Sequence, residues 1–287
     1  MAMARFIIIG GGRVGRVLAY YLPKAGHRVA CIVEPHPTRA AELKALFPTV
    51  PVVNPLPKDV VPQCDCLWIC VPDDQIPEVV KSLTPYKTHL QRQIIAHTSG
   101  SMPSAVLNPL RHRSVRCVSA HPISSFSTLP PANQSLHQVY FNLEGDPEGV
   151  QWFSQIVVSL GAQPLPVTID QKKAIHLAAV FYSNFFVGLA AAAQSVLLKQ
   201  ELPSDLRFKP FLPLIQATLN NLEKLPPLQA LTGPLKRGDV STIQTHLELL
   251  KQHSPEWLPV YREICLALLP QLELPDDKKH QLKRMFE

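Results

Sequence analysis

The first 165 residues alternate between short apolar runs and stretches with helical periodicity. An apolar run at residues 5–9 ends in three glycines at residues 10–12, and apolar positions at helical spacing follow as far as Gly26. A second apolar run at residues 29–33 completes a strand, glycine turn, helix and strand. Strands are also predicted at residues 50–53, 67–71, 94–97, 115–119, 139–143 and 165–167, and helices at 38–47, 75–83 and 149–160. The alternation predicts a doubly wound, mostly parallel α/β sheet.

The pattern changes near Asp170, because only helical periodicity, interrupted by prolines, is present from there to Glu287. We therefore predict an α/β domain at residues 1–166 and an all-α domain at residues 167–287. No formal charge occurs from Ala174 to Leu198, a stretch long enough to span a bilayer. Because it contains several polar side chains and stands alone, we expect a helix buried in the helical domain and no membrane partner.

Composition excludes several classes of function. Of the 287 residues, 46% are hydrophobic and 17% charged, which is typical of a folded globular protein. The net charge of +6 is mild and no run of five basic residues occurs, so no nucleic-acid partner is expected. The spacing of the six cysteines predicts no metal site. Free thiols and an N-terminus unlike a signal peptide predict a cytoplasmic protein.

The glycine turn carries the strongest motif. Gly10-x-Gly12-x-x-Gly15 follows a strand and opens a helix, and Glu34 lies at the end of the next strand. This arrangement is typical of a Rossmann domain that binds a dinucleotide through the helix N-terminus. Gly10 would permit the tight turn, Gly12 the approach of the pyrophosphate and Gly15 close helix packing. The predicted cofactor-binding residues are Gly10, Gly11, Gly12, Arg13, Val14, Gly15, Glu34, Val71 and Pro72; the alternative is a glycine turn that binds nothing.

The cofactor is predicted to be NAD(P)H. Glu34 could accept hydrogen bonds from a ribose 2′-hydroxyl and would repel a 2′-phosphate, which favours NAD. NADP stays open, because His36 and Arg39 follow closely and could bind that phosphate. Asp73 and Asp74 follow Pro72, and we expect one of them to cap the next helix.

A set of landmarks resembles one family over nearly the whole chain. They are Gly10 to Gly15, Val71-Pro72-Asp73-Asp74, His97-Thr98-Ser99-Gly100, His121-Pro122 with Phe126, Ser183-Asn184, and Ala230 to Pro234 followed by Arg237-Gly238-Asp239. The chain resembles Rossmann-like proteins with a C-terminal DUF2520 domain, whose plan is similar to ketopantoate reductase, pyrroline-5-carboxylate reductase and 6-phosphogluconate dehydrogenase. One branch resembles an unconventional class of ketopantoate reductases. That resemblance implies reduction of 2-dehydropantoate to pantoate, for pantothenate and coenzyme A, by a homodimer joined through the helical domain.

The helix that begins near Asp170 carries a polar stripe. At about 100° per residue, Lys172, His176 and Ser183 share one side and Asn184 lies at its margin. The resemblance places His176 where ketopantoate reductases carry a proton-donating lysine, Val180 in place of an asparagine and Asn184 at a second asparagine. We therefore expect His176 or Lys172 to donate a proton and Asn184 to orient the substrate, with Ser183 beside them. The alternative for His176 is a core histidine bonded to a carbonyl.

The other candidate substrate residues lie in turns. Arg237 could hold a carboxylate through two hydrogen bonds, with Thr232 shaping the same wall; the alternative is a structural loop in which Asp239 caps a helix. Ser99, Gly100 and His121 follow strands, where ligands bind in parallel sheets, or they serve turn chemistry alone.

Three hypotheses about function follow. The favoured one is an NAD(P)H-dependent reductase of a small keto acid, 2-dehydropantoate above others. A second is a reductase or dehydrogenase of the same plan that acts on a pyrroline-5-carboxylate-like or prephenate-like substrate. A third is a nucleotide-binding regulatory protein without turnover.

Overall fold

The computed structural model of the protein describes residues 2–127, 130–200 and 202–287. Its first part alternates strands and helices as the apolar pattern predicts. These elements are β1 (Arg5–Ile9), α1 (Arg13–Lys24), β2 (Arg28–Val33), α2 (Pro37–Leu46), β3 (Val52–Val53), β4 (Cys66–Ile69), α3 (Ile76–Leu83), β5 (Ile94–His97), β6 (Arg116–Pro122), β7 (Tyr140–Gly145), α4 (Pro147–Ser159) and β8 (Gln163–Pro166). The α/β class, with a helical part after it, is confirmed.

One sheet holds all eight strands in the order β3-β2-β1-β4-β5-β6-β7-β8. Its pairs are parallel except β6 with β7, which run antiparallel. Side chains alternate between the two faces of each strand. One face packs an apolar cluster around Phe6, Trp68 and Phe153, and the other a cluster around Ile7, Ile69 and Ile95. The carboxyl ends of β1, β4 and β5 therefore meet at one edge of a sheet that is buried on both faces.

The second part is helical throughout. Its elements are α5 (Ile169–Ala179), a π-helical segment (Val180–Phe185), α6 (Phe186–Leu198), α7 (Leu212–Lys224), α8 (Pro227–Ala230), α9 (Pro234–Arg237), α10 (Val240–His253), α11 (Leu258–Leu268) and α12 (Asp276–Phe286). Thr168 and Gln171 form a reciprocal capping box that begins α5. A small core between α9 and α12 is built around Leu235, Ile243 and Leu282.

The chain divides into two compact units, Met1–Ser183 and Asn184–Glu287. The sequence places the boundary at residues 166/167, whereas the division of the structure falls inside the π-helical segment. Helix α5 therefore belongs to the unit that contains the sheet, and with it Lys172 and His176.

The expectation of a buried helix at residues 174–198 is wrong. No residue from 173 to 198 is buried, and Tyr182 and Val187 are 77% and 66% exposed. Within the described ranges, the helix Ile169–Leu198 is the one that is long and apolar enough to cross a membrane, by length and composition alone.

Candidate cofactor and active site

The glycine turn has the geometry that the motif predicts. Gly10 has a φ of +101°, a left-handed conformation that favours glycine. A Cβ atom on Gly15 would overlap the Gly10 carbonyl oxygen, so α1 approaches β1 as closely as it does only because residue 15 is glycine. Helix α1 begins at Gly12 with no side-chain cap and no acidic residue in its first turn. Its N-terminal amides are therefore free to bind an anion.

A cavity of about 1010 Å³ lies at this turn, large by the standard of ligand sites. Six of the predicted cofactor residues line it: Gly10, Gly12, Arg13, Glu34, Val71 and Pro72. Gly11, Val14 and Gly15 do not line it. A Cβ atom on Gly11 would overlap the Leu43 side chain, so this glycine serves packing. The free helix N-terminus, the open approach at Gly12 and the volume fit a dinucleotide.

The Glu34 carboxylate is buried and already hydrogen-bonded. Its Oε2 accepts the Gly11 N–H at 3.0 Å, and its Oε1 accepts the His36 N–H at 2.9 Å. The Arg39 guanidinium lies 3.3 Å from Oε2, and the Arg39 side chain is 46% exposed. Glu34 thus joins the glycine turn to the loop after β2. Sequence spacing predicts that Glu34 lies at the end of β2, but it does not show that both carboxylate oxygens already accept hydrogen bonds.

The turn after β5 is held by a carboxylate. Asp73 Oδ2 accepts the hydroxyl groups of Ser99 at 2.6 Å and Ser101 at 2.8 Å. The helix after Asp73 has no side-chain cap, so the expected capping role of Asp73 or Asp74 is wrong. The Ser99 hydroxyl also accepts the amides of Ser101 and Met102. It is therefore occupied within the turn, and the expectation that it contacts a substrate is not supported.

Lys172 is fully buried, and the carboxylates of Glu34 and Glu144 are buried as well. Its Nζ donates to the Ser99 carbonyl oxygen at 2.6 Å and lies 3.4 Å from Asn142 Oδ1. Burial lowers the pKa of Lys172 to about 8, although the Glu144 and Asp73 carboxylates act in the opposite direction. The ammonium group thus faces the Ser99 turn from inside the protein.

Two imidazole rings converge on Gly100. The His121 and His176 rings lie edge to face with centroids 6.2 Å apart. A Cβ atom on Gly100 would overlap His176 Nδ1 and lie 3.0 Å from His121 Nε2. His121 Nδ1 lies 2.8 Å from the Thr98 carbonyl oxygen and, because a carbonyl only accepts, Nδ1 carries the proton. His121 Nε2 is therefore an acceptor that faces Gly100.

The electrostatic setting keeps His121 neutral. Burial is the largest cause that lowers the pKa of His121 to about 4, and the charges of Lys172 and His176 add to it. His97 differs, because both of its ring nitrogens have backbone partners, the Pro103 carbonyl oxygen and the Ser99 amide. Burial lowers the pKa of His97 to about 4 as well. His97 is thus a structural histidine, whereas His121 leaves one nitrogen toward the site.

A buried polar row crosses the sheet beside these rings. The register pairs His97 with Ser119, Ser119 with Glu144 and His121 with Asn142, so all five side chains share one face. Glu144 accepts the Ser104 amide and hydroxyl, at 2.6 and 2.8 Å. The sequence interpretation does not include Asn142 or Glu144. Their alternation with Phe141 and Leu143 was the signal that one face of β7 is polar.

The remaining candidates do not join this cluster within the first unit. The π-helical segment interrupts the uniform 100° spacing before Ser183, so the expected stripe of Lys172, His176 and Ser183 stays a prediction at Ser183. Asn184, Thr232 and Arg237 belong to the second unit and are exposed. Asp239 caps α10 by accepting the Thr242 amide, as the structural alternative for that loop predicts. Roles for Ser183, Asn184, Thr232 and Arg237 in substrate binding stay predictions.

Comparison with solved structures finds the same fold in several oxidoreductases. A candidate NADP oxidoreductase from Bacteroides fragilis is 23% identical over 93% of this chain and 98% of its own, with a TM-score of 0.75. A reductive aminase from Aspergillus terreus, in complex with NADPH and ethyl levulinate, is 12% identical over 99% of both chains, with a TM-score of 0.67. A 1-pyrroline-5-carboxylate reductase from Streptococcus pyogenes is 14% identical over 98% of this chain and 99% of its own, with a TM-score of 0.64. At these identities the likeness shows a shared fold.

Family models match both parts of the chain, whereas no curated protein matches it. Residues 2–122 match the Rossmann-like domain, and residues 139–268 match the domain of unknown function DUF2520. The second match begins within the sheet, at β7, and runs through the exposed helices to α11. The chain therefore belongs to the proteins that combine a Rossmann-like domain with a DUF2520 domain.

Proposed function

We propose that the protein is an NAD(P)H-dependent reductase of a small keto acid. The observation that carries the proposal is the approach of His121 Nε2 and His176 Nδ1 to Gly100. This approach occurs at the strand edge where Val71 and Pro72 line the cofactor cavity, and Asp73 bonds the turn that carries Gly100. Titratable groups next to a dinucleotide cavity favour proton-coupled reduction over simple nucleotide binding.

The bound cofactor would supply a hydride, and the protein would supply position and a proton. Because neutral His121 holds its proton on Nδ1, bonded to Thr98, it cannot donate from Nε2. His176 is therefore the proposed donor, through Nδ1, and His121 orients the donor and the substrate from the opposite side of Gly100. Because residue 100 has no side chain, both imidazole rings can approach the turn this closely.

A proton donor suits either a carbonyl or a neutral imine substrate. A carbonyl that accepts hydride becomes an alkoxide and must be protonated, and a neutral cyclic imine takes up one proton as well, whereas a preformed iminium needs none. The resemblance to unconventional ketopantoate reductases supports 2-dehydropantoate. Cyclic imines are the second candidate, because a reductive aminase and a pyrroline-5-carboxylate reductase share the fold.

For the cofactor, the bonds of Glu34 favour NADPH over NADH, in contrast to the preference that its position alone suggests. Both carboxylate oxygens already accept backbone amides, and Arg39 covers the same group. Arg39 then presents positive charge where a 2′-phosphate would lie, and the exposed His36 lines the same cavity.

Turnover with a panel of substrates tests the function. Loss of reduced-nicotinamide absorbance is followed with 2-dehydropantoate, other 2-keto acids and 1-pyrroline-5-carboxylate. His176→Ala should lower kcat about 10²- to 10⁴-fold without changing the Kd of the cofactor. His137→Ala, at an exposed histidine, is the matched control. Cofactor binding without turnover on any substrate would favour a regulatory protein, and an unchanged kcat in His176→Ala would remove His176 from the reaction.

A further inference from the structure

Burial of the Lys172 ammonium group in the protein interior costs free energy. Its ammonium group is removed from water and lies within 4.0 Å of no carboxylate among the described residues. Two neutral oxygens, the Ser99 carbonyl and Asn142 Oδ1, hold it. Burying a charge with neutral partners is unfavourable, so a role in positioning or chemistry is the reason to expect for such a lysine.

Asn142 supports the same conclusion. Its Nδ2 is buried and has no hydrogen-bond partner among the described residues, although its Oδ1 contacts Lys172. An apolar residue of similar size would avoid the unpaired amide. The asparagine is therefore useful for its oxygen, which helps to hold the ammonium group.

Lys172 is poorly placed to be the proton donor. One N–H of its Nζ is directed at the Ser99 carbonyl oxygen and another at Asn142, and the whole side chain is enclosed. Ser99 directly precedes Gly100, the residue on which the two imidazole rings converge. The ammonium group thus contacts Ser99, the residue next to the proposed site at Gly100, from the interior of the protein.

We infer that Lys172 is a positioning residue whose ammonium group anchors the Ser99–Gly100 turn and keeps His121 Nε2 available as an acceptor facing His176. The inference rests on the proposed function for its catalytic meaning, but its electrostatic part does not. The charged and titratable groups around His121 are Lys172 and His176 on α5, Asp73 after β4, and His97 on β5. Glu144 on β7 acts on Lys172.

The first test measures His121 in the cofactor-free protein. Ring resonances of the histidines are titrated by NMR in the wild type, in Lys172→Met and in Lys173→Met. Lys172→Met should raise the pKa of His121 by about one unit, because a nearby like charge is removed. Lys173→Met removes the same charge from an exposed neighbouring residue and should leave the pKa of His121 unchanged. An unchanged pKa in Lys172→Met overturns the inference, whether or not the protein reduces any substrate.

A second variant covers the case in which Lys172→Met fails to fold. Asn142→Asp leaves the lysine and its bond to Ser99 in place but sets a carboxylate beside it. The pKa of His121 should again rise, because the positive charge is partly neutralised. A pKa of His121 that does not change in this folded variant contradicts the inference equally.

The pH dependence of turnover separates positioning from proton donation. If Lys172 only positions the turn, Lys172→Met should keep kcat within about tenfold of the wild type at pH 8 and lose more at about pH 4.5, where His121 is mostly protonated in the variant but not in the wild type. If Lys172 donates the proton itself, kcat should fall by two orders of magnitude or more at both pH values, even where His121 stays neutral. That second pattern overturns the inference and leaves the proposed reductase function intact.

Discussion

At the scale of single residues, Glu34 shows how one carboxylate can serve the loop around it. It accepts amides from Gly11 and His36, on two segments that both line the cofactor cavity or its rim. A residue type that usually indicates NAD is therefore used here to organise the turn. Spacing alone could place Glu34 at the end of β2, but the direction of its hydrogen bonds depends on how the following loop folds back.

The Arg39 side chain should decide the affinity for the 2′-phosphate. Arg39→Ala should raise the Kd of NADPH about tenfold or more, since a charge-assisted hydrogen bond contributes about 1.5–3 kcal/mol. The Kd of NADH should change less than threefold, roughly the size of an exposed charge effect. Both are measured by nicotinamide fluorescence, with exposed Arg92→Ala as control. Equal losses for the two cofactors, or tighter binding of NADH by the wild type, would contradict the preference for NADPH.

Buried His97 should make the protein less stable in mild acid. Its pKa is about 4 in the folded state against 6.5 unfolded, so the unfolded state binds more protons between these values. The free energy of unfolding must then fall as the pH falls from about 6.5 towards 4. His97→Asn can keep both backbone bonds but cannot ionise. In urea unfolding, the stability difference between wild type and variant should shrink by about 2 kcal/mol from pH 7 to pH 5; a constant difference would refute this.

At the scale of elements, the apolar pattern predicts the strands and helices of the sheet well. β5 has the predicted bounds, and β6 extends three residues beyond the prediction, to Pro122. Two features could not be predicted by local pattern. The antiparallel direction of β7 depends on the long connection after β6, and the π-helical segment interrupts a mostly apolar stretch that also carries Ser183 and Asn184. The helical stripe holds for Lys172 and His176, which both approach the Ser99–Gly100 turn, and stays a prediction for Ser183.

The turn after β5 should tolerate no side chain at residue 100. Gly100→Ala would push a methyl group into His176 Nδ1 and should lower kcat at least tenfold and stability by about 1–3 kcal/mol. A double-mutant cycle with His176→Ala tests the cause. Because the second substitution removes the overlapping ring, the loss of stability should be smaller than the sum of the single losses, by about 0.5 kcal/mol or more. If thermal unfolding shows that the two losses of stability are strictly additive, the strain in Gly100→Ala does not come from its contact with His176.

At the scale of the whole molecule, the helices of the second unit leave large apolar side chains exposed. Val187 on α6 and Leu214 on α7 are 66% and 64% exposed, within a long apolar surface of the second unit. Patches of this kind mark association surfaces in soluble proteins. We propose that a second copy of the chain covers them, in agreement with the homodimer that the family resemblance implies. The polar His176, Gln194 and Ser195 on the same long helix argue against lipid as the occupant.

The oligomeric state tests this proposal directly. Light scattering after size exclusion should show a dimer for the wild type and a shift towards monomer for Val187→Asp. Val158→Asp, at a 60% exposed valine on α4, is the matched control and should remain dimeric. A monomeric wild type, or binding to phospholipid vesicles that Val187→Asp abolishes, would contradict the proposal.

The antiparallel pairing of β7 with β6 does not tolerate a shift in register. Asn142 and Glu144 pair with His121 and Ser119 on β6, which runs antiparallel to β7. Sliding β7 by a single position would turn both hydrophilic groups into the aromatic interior around Trp68 and bring Phe141 and Leu143 against an ammonium ion. A shifted register of β7 is therefore strongly unfavourable, and formation of this edge of the sheet depends on the correct pairing of this one strand.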